Sequence, residues 1–178
     1  ASLLKMNSFS NSNCLKLKIC KQEMGKDLKW IETLYNSDAI IRLDANQNIL
    51  DDFFKIIEKR FPKIQYIEEP FTIDKTLNYK TCLPIALDES IINVDKEKLK
   101  EYCKKSKYII LKPTTIGSFK EIKEIINICN EMNNKVIFSS TFETKIGLKT
   151  FEYLISNNKL LKDSYHGIGT LHYLDSLD

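Results

Sequence analysis

Short apolar runs alternate along this chain with longer stretches in which apolar residues recur every three or four positions. The first run predicts a strand at 15–19. A helical pattern over 26–35 follows, with Leu28, Ile31 and Leu34 on one face. A strand is predicted at 40–43 and a helix at 50–60, where Phe53, Phe54, Ile56 and Ile57 give a partly apolar stripe. A strand at 64–67 runs to Pro70. Residues 72–83 carry no clear period and suit a short helix or an irregular turn. Strands at 85–87, 108–111 and 136–138 then alternate with helices at 95–105, 119–132 and 147–157. Residues 165–171 suit one last short strand.

Strands alternating with helices imply βαβ units and a parallel sheet. The strand runs are apolar throughout, as expected when both faces of a sheet are covered. A repeat of roughly 20–27 residues matches one β/α unit of a barrel. The predicted fold class is therefore α/β, a TIM-type (β/α) barrel that is incomplete. About six units are legible, or seven with the tail, in a chain of 178 residues. A full eight-unit barrel typically takes about 250. Residues 1–13, rich in Ser and Asn, read as a flexible segment, and residues 14–178 as one partial barrel domain.

Composition narrows the partners. The formal charge is +3, and runs such as Asp95-Lys-Glu-Lys-Leu-Lys-Glu101 mix both signs, as a solvated helix face does. No basic stripe interleaves with aromatics, so nucleic acid is not an expected partner. No apolar run approaches 18 residues, so no membrane span is expected either. The five cysteines include no CxxC pair. Neither a zinc site nor a disulfide framework is expected, and the thiols read as reduced, in an intracellular compartment.

The chemistry sits at the ends of the predicted strands. Asp44 closes Ile40-Ile-Arg-Leu-Asp44, Glu68 lies in Tyr66-Ile-Glu-Glu-Pro70, and Asp88 lies in Pro84-Ile-Ala-Leu-Asp-Glu-Ser90. Lys16-Leu17-Lys18 precedes them and Lys112, in Tyr108-Ile-Ile-Leu-Lys-Pro113, follows. In a barrel the C-terminal strand ends converge on one face, where active sites lie. Three carboxylates converging without a cation would repel, at about 4 kcal/mol per pair for ~4 Å and an effective dielectric of ~20. All-oxygen ligation favours Mg²⁺ or Mn²⁺ over zinc. Lys16 and Lys18 share a strand face, since side chains alternate with period two. Two ammonium groups side by side near a cation push one pKa toward neutrality, which makes Lys18 a candidate general base. Taken alone, Lys16-Leu-Lys18 would read as an edge strand with charged outward residues.

Read together, these residues resemble the barrel domain of the enolase superfamily, in its muconate-lactonizing subgroup. The motifs that carry the resemblance are Lys16-Leu-Lys18, Arg42-Leu-Asp-Ala-Asn46, Ile67-Glu-Glu-Pro70, Ala86-Leu-Asp-Glu-Ser90 and Leu111-Lys-Pro113 with Ile116-Gly117. Phe138-Ser-Ser-Thr-Phe-Glu-Thr144 with Ile146-Gly-Leu148, and His166-Gly-Ile-Gly-Thr170, complete the order. The last two favour the branch that forms o-succinylbenzoate by β-elimination of water, in menaquinone or phylloquinone synthesis. The resemblance implies that Asp44, Glu68 and Asp88 hold Mg²⁺, with Mn²⁺ as a substitute, and that Glu69 is structural. It implies that Lys18 takes the α-proton, that Lys16 holds Lys18 and tunes it, and that Lys112 stabilises the enediolate from the other face. Ser139, Ser140 and the backbone near Gly167 would contact the carboxylates or succinyl tail of a small-molecule carboxylate substrate. A bacterial cytoplasm or a plastid stroma would suit that pathway.

The same lysines on two faces also suit a dipeptide epimerase or N-acylamino acid racemase. A non-catalytic truncated remnant is the third reading. The family carries an N-terminal capping domain and one earlier barrel strand, so a capping segment is expected upstream or in trans, and little activity is expected without it. His166 and His172 read as loop or surface residues, Glu143 as buried near the site without chemistry of its own, and Gly117 as the opening of a helix that could receive an anion.

Overall fold

The computed structural model describes residues 13–141 and 143–169, without the side chain of Leu160. Residues 1–12 of the expected N-terminal segment, Phe142, His172 and the end of the tail lie outside the described residues. Two compact units divide between Pro84 and Ile85.

The first unit holds β1 (Cys14–Lys18), α1 (Met24–Tyr35), β2 (Ile40–Asp44), α2 (Asp51–Arg60), β3 (Tyr66–Glu68) and α3 (Ile73–Asn78). β1 and β2 pair in parallel with Lys16 opposite Arg42 and Lys18 opposite Asp44. β2 and β3 pair in parallel with Arg42 opposite Tyr66 and Asp44 opposite Glu68. Period two then sorts the side chains. Leu15, Ile41, Leu43 and Ile67 join Ile31, Phe53, Phe54 and Ile57 in one core. Lys16, Lys18, Arg42, Asp44, Tyr66 and Glu68 take the opposite face. β3 starts later than the sequence pattern suggests, because the Ile64 amide closes a turn onto the Phe61 carbonyl (3.2 Å). Residues 72–83 do contain a short helix, α3, flanked by Phe71 and Tyr79, whose rings pack with Phe54 in tilted and edge-on contacts, centroids 4.6–5.5 Å apart.

The second unit holds β4 (Ile85–Leu87), a single 3-10 turn (Glu89–Ile91), α4 (Lys96–Lys105), β5 (Tyr108–Leu111), α5 (Pro113–Ile116), α6 (Phe119–Glu131), β6 (Lys135–Phe138), α7 (Lys145–Ser156) and α8 (Lys159–Lys162). β4 pairs with β5 and β5 with β6, both in parallel. Every residue of β4 and β5 is buried, which is why these strands read as unbroken apolar runs. Asp95 caps α4 by accepting from the Lys98 amide (2.8 Å). Ser118 and Glu121 form a capping box at α6. The Glu121 carboxylate thus takes the Ser118 amide (2.8 Å) at the helix start just after Gly117, where the sequence allows for an external anion. Of the strand expected over 165–171, the described residues 165–169 show one parallel bridge, from Gly167 to Ser139, and residues 170–171 lie outside the described residues. All five cysteines are free thiols. Among the described residues no helix is long and apolar enough to cross a membrane.

Candidate functional site

Parallel register sets the acids of the first unit side by side. Asp44 and Glu68 are direct partners across β2 and β3. Lys16, two residues earlier in register on β1, reaches both: its Nζ lies 3.1 Å from Asp44 Oδ2 and 2.6 Å from Glu68 Oε1. Glu68 is 1% exposed. Burial alone would lower the Lys16 pKa, but the Glu68 and Asp44 carboxylates outweigh it and hold it above the ordinary lysine value. Asn46 Nδ2 donates to the other Asp44 oxygen (2.5 Å). Three non-glycine residues here have positive φ: Asn46 (43°), Gln47 (57°) and Glu69 (41°). Such left-handed backbone is strained for side-chain-bearing residues and tends to collect at functional sites. It is tied down by the Gln47 amide donating to the Glu69 carbonyl (2.6 Å) and the Ala45 amide to the Glu68 carbonyl (3.0 Å). Two residues before the acids in register, the buried Arg42 guanidinium stacks 5.1 Å from the Tyr66 ring and donates from Nε to Gln65 Oε1 (2.6 Å).

The second unit repeats the motif of a lysine held by acids. Lys112, at the end of β5, pairs with Asp88, at the end of β4, and with Glu89 Oε1 (2.9 Å). Burial would lower the Lys112 pKa; the hydrogen bonds and charges of Asp88 and Glu89 raise it overall. Asp88 is buried.

The segment after β6 brings Ser139 and Ser140 against Gly167. The Ser140 amide donates to the Gly167 carbonyl (2.9 Å), and the Gly167 amide to the Phe138 carbonyl (2.7 Å). His166 fastens this seam: its Nδ1 accepts from the Phe138 amide (2.9 Å), and its Nε2 lies 2.8 Å from the Leu161 carbonyl. Nδ1 is therefore the bare nitrogen and Nε2 carries the proton. That makes His166 a tie between β6 and α8. Ser140 differs from expectation in one respect, since its hydroxyl donates to Glu143 Oε2 (2.5 Å).

No protein-family model matches the chain. It is 26% identical over 158 residues to an o-succinylbenzoate synthase of Haemophilus influenzae, covering 81% of this chain and 46% of that protein. With the o-succinylbenzoate synthase of Photorhabdus laumondii the identity is 28%, over 82% of this chain and 48% of that protein. The chain thus spans about half the length of the curated relatives it matches. A muconate lactonizing enzyme from Pseudomonas putida superposes with a TM-score of 0.73 at 21% identity, over 90% of this chain and 48% of that one. MenC from Desulfotalea psychrophila gives a TM-score of 0.63 at 27% identity, over 76% of this chain and 41% of that one. An L-Ala-D/L-Glu epimerase from Bacillus subtilis gives 0.75 at 20% identity, over 89% of this chain and 47% of that one. The chain has the fold of about half of a TIM-type barrel, as found in these enolase-superfamily neighbours.

A hard divalent cation needs several oxygen donors converging on one point. Among the described residues no group of three or more His, Cys, Asp or Glu is arranged to hold one. The first unit nevertheless offers the right donors. Two carboxylates from neighbouring strands already converge on a single cationic nitrogen, that of Lys16. Their oxygen-only chemistry fits a hard cation such as Mg²⁺.

The sequence reading gave Glu143 no role, and the structure surrounds it with donors. Burial would raise its pKa, but hydrogen bonds from Ser140, Thr141 and Thr114 hold it down to about 2, from an ordinary value of 4.5. An acid whose folded pKa is depressed contributes stability above its unfolded pKa and loses it as pH falls through the folded one. Glu143 is therefore expected to contribute roughly 3 kcal/mol at neutral pH, lost progressively below about pH 4.5. Urea unfolding of the wild type and of Glu143→Gln at a series of pH values checks this. The gap between them should narrow toward pH 2.5, and a constant gap would contradict it.

Proposed function

We propose that this chain is the barrel portion of an o-succinylbenzoate synthase, a carbon–oxygen lyase. The reaction removes water from a succinyl-hydroxycyclohexadiene carboxylate and leaves an aromatic ring. Asp44, Glu68 and Asp88 would hold Mg²⁺, or Mn²⁺ in its place. The cation supplies stabilisation of negative charge on the substrate carboxylate. Lys18 removes the proton from the carbon bearing that carboxylate. The C–O bond to the ring hydroxyl then breaks, and Lys18 returns its proton to the departing oxygen, so that water leaves. Lys112 balances the negative charge that grows between these steps. Lys16 places a positive charge next to Lys18 on the same face of β1. Ser139 and the backbone at Gly167 are assigned to the substrate's other carboxylate.

One observation supports this reading above the others. Asp44 and Glu68 aim their carboxylates at one cationic nitrogen, in a chain whose curated relatives are named o-succinylbenzoate synthase. The test is o-succinylbenzoate formation with Mg²⁺ by this chain, alone and with a family capping domain supplied in trans. Lys18→Ala should reduce the rate by roughly 10³-fold, the usual scale for a lost general base. Product formation that survives Lys18→Ala, or none from the wild type in either mixture, would contradict the proposal.

The similarity to an L-Ala-D/L-Glu epimerase favours a second reading, in which Lys18 and Lys112 exchange the α-proton of an acylated amino acid or dipeptide from opposite faces. In deuterated water that activity would wash deuterium into the α-carbon without any elimination.

A further inference from the structure

We infer that Glu143 is a positioning residue, which clamps the segment after β5 to the segment after β6 and so fixes Ser139 as the hydroxyl that meets the substrate's succinyl carboxylate. The inference rests on the function proposed above. Glu143 is 8% exposed. Its Oε1 accepts from the hydroxyls of Thr114 (2.8 Å) and Thr141 (2.7 Å). Its Oε2 accepts from the Ser140 hydroxyl (2.5 Å) and the Thr141 amide (2.7 Å). Each oxygen thus serves two donors, so the group neither offers a free edge to a cation nor waits for a proton. What it does is mechanical. Thr114 stands two residues past Lys112, and the other donors stand immediately after Ser139.

Two further contacts show that the clamp is built into the fold. The Thr114 and Thr141 hydroxyls lie 2.8 Å apart, so the segments also touch directly. A Cβ added at Gly147, in the first turn of α7, would come within 3.0 Å of Glu143 Cβ. Glycine there lets the helix start close against the carboxylate stem. The clamp also divides the labour of the two serines. The Ser140 hydroxyl has one proton and gives it to Glu143, so toward a substrate it can only accept. A carboxylate needs a donor, and the neighbouring Ser139 hydroxyl is the one left to supply it.

The experiment uses the whole chain with Mg²⁺ and two probes, o-succinylbenzoate and benzoate, the second lacking the succinyl tail. Affinities are measured by calorimetry for the wild type, Glu143→Gln, Thr114→Val and Ser139→Ala, and amide exchange is followed over residues 112–116 and 139–144. Glu143→Gln should speed exchange in both segments and weaken o-succinylbenzoate about tenfold, the scale of one hydrogen bond to a charged group. Benzoate affinity should not change. Thr114→Val, a milder change that keeps the acid, should shift both readouts in the same direction by less. Ser139→Ala should weaken o-succinylbenzoate without altering exchange. Equal losses for both probes in Glu143→Gln, or none, overturn the positioning role while leaving the functional reading intact. A wild-type chain that binds benzoate and o-succinylbenzoate equally, or neither, overturns both.

Discussion

Lys16→Met is expected to make the stability of the first unit depend on a divalent cation. In the wild type the Lys16 ammonium sits within 3.1 Å of both Asp44 and Glu68. Without it, two carboxylates on paired strands lose the ammonium they share. At about 5 Å and an effective dielectric of ~20 their repulsion is about 3 kcal/mol. The Lys16 side chain is 36% exposed, so solvent screening brings the net cost nearer 1–2 kcal/mol. A cation that takes the vacated place restores it, by about 2.7 kcal/mol at a hundred times its Kd. Urea unfolding with and without Mg²⁺ reads this out. The variant should gain more from Mg²⁺ than the wild type does, because the lysine no longer competes. A variant as stable as the wild type and indifferent to Mg²⁺ would contradict the shared-cation arrangement.

Phe54→Ala carries the largest expected loss of stability, about 3–5 kcal/mol. Phe54 is fully buried and touches two rings at once, with centroids 5.5 Å from Phe71 and 5.0 Å from Tyr79. Its removal leaves a cavity that Phe71 and Tyr79 cannot fill without giving up their own tilted contact, with centroids 4.6 Å apart. The same strand-and-helix core sets the register of β2 against β3, and through it the pairing of Asp44 with Glu68. The expected result is a lower unfolding midpoint at unchanged m-value, with Mg²⁺ affinity falling only under conditions where the chain begins to unfold. A loss below about 1 kcal/mol would show that the ring cluster is not the centre of this core.

Most of the fold was legible because its strands are buried on both faces and its helices are amphipathic. β4 and β5 fall where the apolar runs place them, and α2, α4 and α6 follow their three-to-four spacing. The pattern misled where local rules have two readings. Pro113 reads as the stop after β5, yet it occupies the first turn of α5, where a missing amide costs nothing. Strand ends drew attention to Lys16, Lys18, Asp44, Glu68, Asp88 and Lys112 in the sequence; within the first unit the parallel register sets Lys18, Asp44 and Glu68 level. The sequence did not show which charges pair. Lys16 looked like a companion to Lys18, and only the β2–β3 register reveals that its nitrogen reaches both acids. Glu143 was placed near the site but not given its partners for a similar reason, because Thr114 lies 29 residues away. The one signal was the crowd of hydroxyls in Ser139-Ser-Thr141, just ahead of an acid on a buried edge. His166 has its tautomer set by a backbone amide and a carbonyl from two elements, which no local pattern encodes.

The central claim is that the acids at these strand ends are a cation site, and calorimetric titration of Mg²⁺ into this chain and its Asp44→Asn variant tests it most directly. The account predicts saturable binding to the wild type at one site, weakened about a hundredfold or abolished in Asp44→Asn, whose neutral amide keeps the shape and removes the charge. The same affinity in both proteins, or no saturable binding to the wild type, would contradict it.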